Sequence, residues 1–138
     1  MTVATKVRLE LPDIATRLKR TRLPEVDAVV GIATGGTVLA SLVAYELERP
    51  LKLIRLNYRA PDNTPQRPWP ELLEPFELDA TMRRVLLVDD VSVSGQTLRQ
   101  AQRYLDGLDV TTLVFKGRAD IVLYPEVSTC IELPWRDG

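Results

Sequence analysis

Apolar residues recur along the chain with two spacings, and the spacing changes at short polar loops. In VDAVVGI (26–32), LKLIRLN (51–57), RVLLVDD (84–90) and VTTLVF (110–115) they form brief runs rich in valine, isoleucine and leucine. Runs of this length, bounded by turn residues, predict β-strands, and VDAVVGI, apolar on both faces, predicts a strand covered on both sides. Between these runs the spacing lengthens to three or four. Leu11, Ile14, Ala15 and Leu18 predict an amphipathic helix over 11–22, with Pro12 in the first turn, where its missing N–H is tolerated. VLASLVAYELE (38–48) is apolar almost all round, which predicts a buried helix that ends before Pro50. Leu98, Ala101 and Leu105 fall on one side of a helix over 98–106, with Gly107 as its cap.

Strands alternating with helices of this length predict an α/β fold, a mostly parallel sheet flanked by helices with right-handed crossovers. Ligands of such folds bind at the carboxyl ends of the strands. Residues 58–82 break the alternation, holding five of the ten prolines and little periodicity. A connection of that length is either a hood over the ligand edge or a surface insertion without a role, and Trp69 inside it is expected to pack on the body. A chain of 138 residues is expected to form one domain, 1–138.

Composition then narrows the classes of function. With 45% hydrophobic and 27% charged residues and a formal charge of −1, the chain has no general attraction for nucleic acid. No apolar run approaches the length of a membrane span or of a secretory signal, so neither membrane insertion nor export is expected. Cys130 is the single cysteine and histidine is absent, which excludes an internal disulfide and a His/Cys zinc site and fits a reducing cytoplasm.

Two loops carry candidate chemistry, ATGG (33–36) after the first strand and DDVSVSGQT (89–97) after the third. In the second, the backbone amides of 93–97 lie where a helix begins, and unpaired amides at a helix N-terminus favour an anion. Gly95 permits close approach, and the hydroxyls of Ser92, Ser94 and Thr97 are further donors of little bulk. Asp89 and Asp90 would repel a phosphate but accept well from a pair of sugar hydroxyls. Phosphate at one end and a diol nearby describe a ribose 5-phosphate. The bland alternative makes Ser92, Ser94 and Gly95 turn residues and one aspartate a helix cap. It leaves two adjacent carboxylates at the end of an apolar strand without a purpose. A receiver domain is not expected, since a later aspartate and a lysine on separate strands would have to follow Asp90, nor is a Walker loop, since neither glycine loop ends in GK[ST].

VLLVDDVSVSGQT (85–97) closely resembles the 5-phosphoribosyl-1-pyrophosphate motif of type I phosphoribosyltransferases. The resemblance extends to RLELPDIATRL as the N-terminal helix, VVGIATGGTVLA as the pyrophosphate loop and 58–82 as the hood. It implies transfer of 5-phosphoribose from the pyrophosphate donor to a nucleobase nitrogen, with Mg²⁺ as cofactor. Asp89 and Asp90 would hold the ribose hydroxyls as the catalytic pair, with either acid a candidate Mg²⁺ ligand. Ser92, Val93, Ser94, Gly95, Gln96 and Thr97 would bind the 5-phosphate, and Thr34, Gly35 and Gly36 the pyrophosphate, in a loop that often contains a cis peptide in the family. Its members commonly form homodimers. A regulator that binds the donor or a nucleotide without turnover is the alternative.

The tail KGRADIVLYPEVSTCIELPW (116–135) is similar to that of small bacterial xanthine and guanine (hypoxanthine) phosphoribosyltransferases. By that likeness Lys116 donates to the oxygen of a 6-oxopurine, and Ile131 and Glu132 border the base. Two positions depart from it. Val93 stands where 6-oxopurine enzymes place a proton-handling aspartate, and Cys130 where the tail places a stacking tryptophan. Cys130 then reads as a small buried hydrophobe. Thr34 takes the position where many members have an arginine or lysine before the double glycine.

Overall fold

The computed structural model describes residues 6–57, 71–72 and 76–135. In chain order its elements are β1 (Val7–Arg8), α1 (Leu11–Arg20), β2 (Ala28–Ala33), α2 (Thr37–Leu47), β3 (Leu51–Asn57), β4 (Glu71–Leu72), β5 (Arg84–Val88), β6 (Val91–Ser92), α3 (Gln96–Arg103), β7 (Asp109–Val114), β8 (Lys116–Gly117), β9 (Ile121–Val122) and β10 (Ile131–Glu132). The main sheet runs β4-β3-β2-β5-β7-β9, parallel throughout except for β4, which is antiparallel to β3. Two short parallel pairs stand apart from it, β1 with β10 and β6 with β8. This is the mostly parallel α/β sheet that the alternating pattern predicts.

The period-two geometry of the strands divides the core in two. Val29, Leu86, Val88 and Leu113 face Ile14 and Leu18 of α1 and Leu39, Ala40 and Val43 of α2. Ala28, Val30, Ile32, Val85 and Leu87 face the other way, onto Leu98 and Ala101 of α3 and Leu105 beyond it. The central strands are therefore apolar on both faces because helices cover both. Burial of this kind stabilises by about 25 cal/mol per Å² of apolar surface removed from water.

Several boundaries differ from the sequence reading. β5 stops at Val88, so Asp89 and Asp90 follow the strand instead of ending it. The helix read as 98–106 starts at Gln96, where Ser94 Oγ accepts the Gln96 N–H at 3.2 Å, and finishes at Arg103. Turns then lead to Gly107, whose φ of +83° fits a glycine after a helix without making it the cap. Within 58–82, Trp69 lies outside the described residues, but the segment is not wholly irregular. Leu72 pairs with Leu56 and Glu71 with Asn57 in the β3–β4 ladder, and Phe76, Leu78 and Met82 pack on the second core cluster.

Candidate functional site

Strand order places the two glycine loops side by side. From β2 the chain moves outward to β3, then returns to the opposite side of β2 to lay down β5, β7 and β9. The crevice between β2 and β5 is thus the point where the order reverses, the place where open α/β sheets bind ligands. Both loops leave the sheet there, at neighbouring carboxyl ends.

The first loop is pressed onto the second. Gly36 donates its N–H to Ile32 O at 2.7 Å, and a Cβ added to it would stand 2.6 Å from Val88 O and 2.9 Å from Asp89 Cα. No side chain fits between the loop and the end of β5. A Cβ on Gly35 would stand 3.0 Å from each carboxylate oxygen of Asp90, so that carboxylate lies against the Gly35 backbone. The Ala33–Thr34 peptide bond is cis, as the resemblance anticipates for this loop, and Thr34 O accepts the Thr37 N–H at 3.1 Å as α2 begins.

Each acid is anchored by main-chain bonds. Asp89, only 8% exposed, donates its N–H to Leu113 O and accepts the Asp90 N–H on Oδ1 at 2.8 Å. Asp90 Oδ1 accepts the Val91 N–H at 2.7 Å, and its carbonyl accepts the Phe115 N–H at 2.9 Å. Such bonds orient the two carboxylates at the end of β5.

The 91–97 loop follows. Val91 and Ser92 pair with Lys116 and Gly117, and the Arg118 N–H donates to Ser92 O at 2.8 Å. Gly117 has φ +118°, and a Cβ there would collide with the Ser92 carbonyl. Val93 is 83% exposed, Gly95 adopts φ +81°, and α3 starts at the next residue. No described hydrogen bond uses the N–H groups of Val93, Ser94 or Gly95. These donors lie at the start of a helix, where backbone amides favour an anion.

The tail behaves less as its likeness suggests. Lys116 Nζ donates to Thr129 O at 2.6 Å and to Ser128 O at 3.2 Å, tying the tail to β8. Ile131 lies in β10, partly buried against the first core cluster, and Glu132 Oε1 accepts from Arg8 Nη1 at 2.9 Å. Trp135 packs on Phe115 with ring centroids 5.9 Å apart. Cys130 is exposed, contrary to the buried role read from the sequence. The pairing of β1 with β10 explains this: Cys130 presents its carbonyl to the Val7 N–H, and the core-directed position falls to Ile131. Sequence reasoning overlooked Gly117 and Arg99, whose Nη1 donates to Ser94 O at 3.1 Å. A glycine one residue after Lys116 was the available signal for the first, and an arginine in the first turn of the predicted helix for the second.

Clefts elsewhere on the surface, at the C-terminal end of α2 (Ala44, Tyr45, Glu48, Arg49) and between α1 and Tyr124, hold none of these groups. Among the described residues no group of three or more His, Cys, Asp or Glu could hold a metal unaided.

Comparison with known proteins agrees with this geometry. The family model for a phosphoribosyl transferase domain matches residues 10–121. An orotate phosphoribosyltransferase of Saccharolobus solfataricus is 36% identical over 75 residues, 54% of this chain and 34% of that protein. An adenine phosphoribosyltransferase of Cupriavidus taiwanensis is 34% identical over 116 residues, 75% of this chain and 56% of that protein. The chain thus spans only a third to just over half the length of these curated relatives. Among solved structures, a purine phosphoribosyltransferase from Pyrococcus horikoshii superposes with a TM-score of 0.71 at 23% identity, covering 96% of this chain and 95% of that one. With the motif loops set together at the switch point of a matching fold, this chain belongs to the phosphoribosyl transferase domain family.

Proposed function

We propose that the chain transfers 5-phosphoribose from 5-phosphoribosyl-1-pyrophosphate to a nucleobase nitrogen, releasing pyrophosphate. One observation carries the reading: the Asp90 carboxylate lies against the Gly35 backbone, and the 93–95 loop with its amides follows the two acids directly along the chain. That order, glycine loop, diol-binding acids, phosphate cradle, follows the donor from pyrophosphate through ribose to 5-phosphate.

As the bond to pyrophosphate breaks, the sugar acquires positive charge, which the carboxylates of Asp89 and Asp90 stabilise while they hold its hydroxyls. The Thr34–Gly36 backbone receives the leaving group. A carboxylate beside a pyrophosphate loop is repulsive unless a cation offsets it, so the site suits a divalent ion bound mainly by the donor's own oxygens, with Asp89 or Asp90 as the supporting protein ligand. Mg²⁺ in that place supplies charge neutralisation for the departing pyrophosphate.

For the acceptor, the likeness of the tail points to a 6-oxopurine, whereas Lys116 is bonded to Thr129 and Ser128 and Val93 provides no acid or base at the exposed apex of the loop. A base whose attacking nitrogen needs no proton handled from that position satisfies both. The test is pyrophosphate release from the donor with Mg²⁺ across xanthine, guanine, hypoxanthine, adenine and orotate. Release with one of these is expected, with Asp90→Asn reducing it by at least tenfold. Donor binding without release for any base would leave a sensor in place of an enzyme, and no donor binding would overturn both.

A further inference from the structure

We infer that Arg99 is a positioning residue for the phosphate loop, acting through the peptide unit between Ser94 and Gly95; the inference rests on the loop being the 5-phosphate cradle. Arg99 lies in the first turn of α3, with its N–H donating to Gly95 O at 3.0 Å. Its side chain folds back over the loop. Nη1 donates to Ser94 O at 3.1 Å and stands 2.9 Å from where a Gly95 side chain would begin. The Ser94–Gly95 peptide bond is trans, so its carbonyl and its N–H point in opposite directions. Holding the carbonyl on the guanidinium side therefore aims the Gly95 N–H to the other side, away from Arg99.

Nothing else described holds that peptide plane. Gly95, at φ +81°, has no side chain to limit its rotation, Ser94 Oγ is engaged with the Gln96 N–H, and the Gly95 N–H has no acceptor among the described residues. A glycine flanked by a free amide is the point at which a loop flips its peptide most easily. The Arg99 bond prevents this and keeps the amide presented before any ligand arrives, which removes an ordering cost from binding. Gly95 also admits the guanidinium, because a Cβ there would crowd Nη1. The glycine and the arginine act as a pair.

The experiment is calorimetric titration of the whole chain and its Arg99→Met and Arg99→Lys variants with two probes, ribose 5-phosphate and inorganic pyrophosphate. Loss of a hydrogen bond from a charged donor predicts ribose 5-phosphate binding weaker by roughly tenfold or more in Arg99→Met. Arg99→Lys, which can still reach a carbonyl, should recover part of it. Pyrophosphate binding should stay unchanged in both variants, a selectivity that general damage to the fold would not produce. Equal weakening toward both probes, or wild-type affinity for ribose 5-phosphate in Arg99→Met, overturns the role given to Arg99. Failure of the unmodified chain to bind ribose 5-phosphate overturns the phosphate-loop reading itself, and the inference with it.

Discussion

Replacing Gly36 with alanine tests the close packing of the 34–36 loop on the end of β5. The added Cβ would meet Val88 O at 2.6 Å, Asp89 Cα at 2.9 Å and Ile32 O at 2.9 Å, against an ordinary contact of 3.4 Å or more. All three are main-chain atoms of the central strands or their ends, so no side chain can rotate aside. The loop or the end of β5 must move by about 0.8 Å, the shortfall of the shortest contact. Overpacking of this kind costs about 1 to 3 kcal/mol. For 138 residues the unfolding entropy near the midpoint is about 0.3 kcal/mol per degree, so Tm should fall by roughly 3 to 10 °C. The displacement separates the 34–36 loop from Asp89 and Asp90, and misplacement approaching 1 Å can cost on the order of a hundredfold in rate. Thermal unfolding followed by circular dichroism and steady-state pyrophosphate release would measure the two effects. Gly107→Ala is the control, because its φ of +83° carries a backbone strain of about 1 kcal/mol while nothing lies within 4 Å of the added carbon. It should lose stability and keep its rate. A Gly36→Ala protein with unchanged Tm and unchanged turnover would refute the reasoning.

Two further outcomes follow from other parts of the molecule. Main-chain bonds from Arg84 and Arg83 to Asp27 hold that carboxyl below the usual aspartate range. A depressed pKa contributes stability above the unfolded value and loses it as pH falls through the folded one. The Tm of the parent should therefore exceed that of Asp27→Asn above about pH 5, and the gap should narrow progressively as pH falls below about pH 4 and on through the lower folded value; a gap independent of pH would count against the assignment. At the loop apex, Val93→Asp restores a carboxylate to a position 83% exposed, where little packing is disturbed. It should raise kcat/KM for 6-oxopurines relative to adenine and orotate by at least severalfold in the base panel, and an unchanged ratio would show that position 93 does not select the acceptor.

Much of the fold was legible because its signals are local. The helix around Leu11, Ile14 and Leu18 and the two-sided apolar strands are period and composition effects, and Ile14, Leu18, Val29, Leu86 and Leu87 are buried as that pattern requires. The short strands were not legible. β6 and β8 are two residues each and exist only because Ser92 and Gly117 meet, while Glu71–Leu72 becomes a strand by lying beside β3. Pairs of that length have no periodicity to read. Cys130 was misplaced for a related reason, since the β1–β10 register, and not residue type, decides which tail residue turns inward.

For the site, the residue types of DDVSVSGQT alone carried the expectation of two acceptors for a diol and a run of amides for a phosphate, and the resemblance of ATGG to the family's loop carried that of a pyrophosphate site. Those properties belong to functional groups and to their order along a short stretch of backbone. Only the tertiary structure decided that Gly35 lies on the Asp90 carboxylate, that Lys116 spends its donors on Thr129 and Ser128, and that Arg99 holds the Ser94 carbonyl. The first two contacts join segments distant in the chain, and the third depends on the direction in which one side chain folds. Sheet order and loop closure create such proximities, and no residue carries them alone.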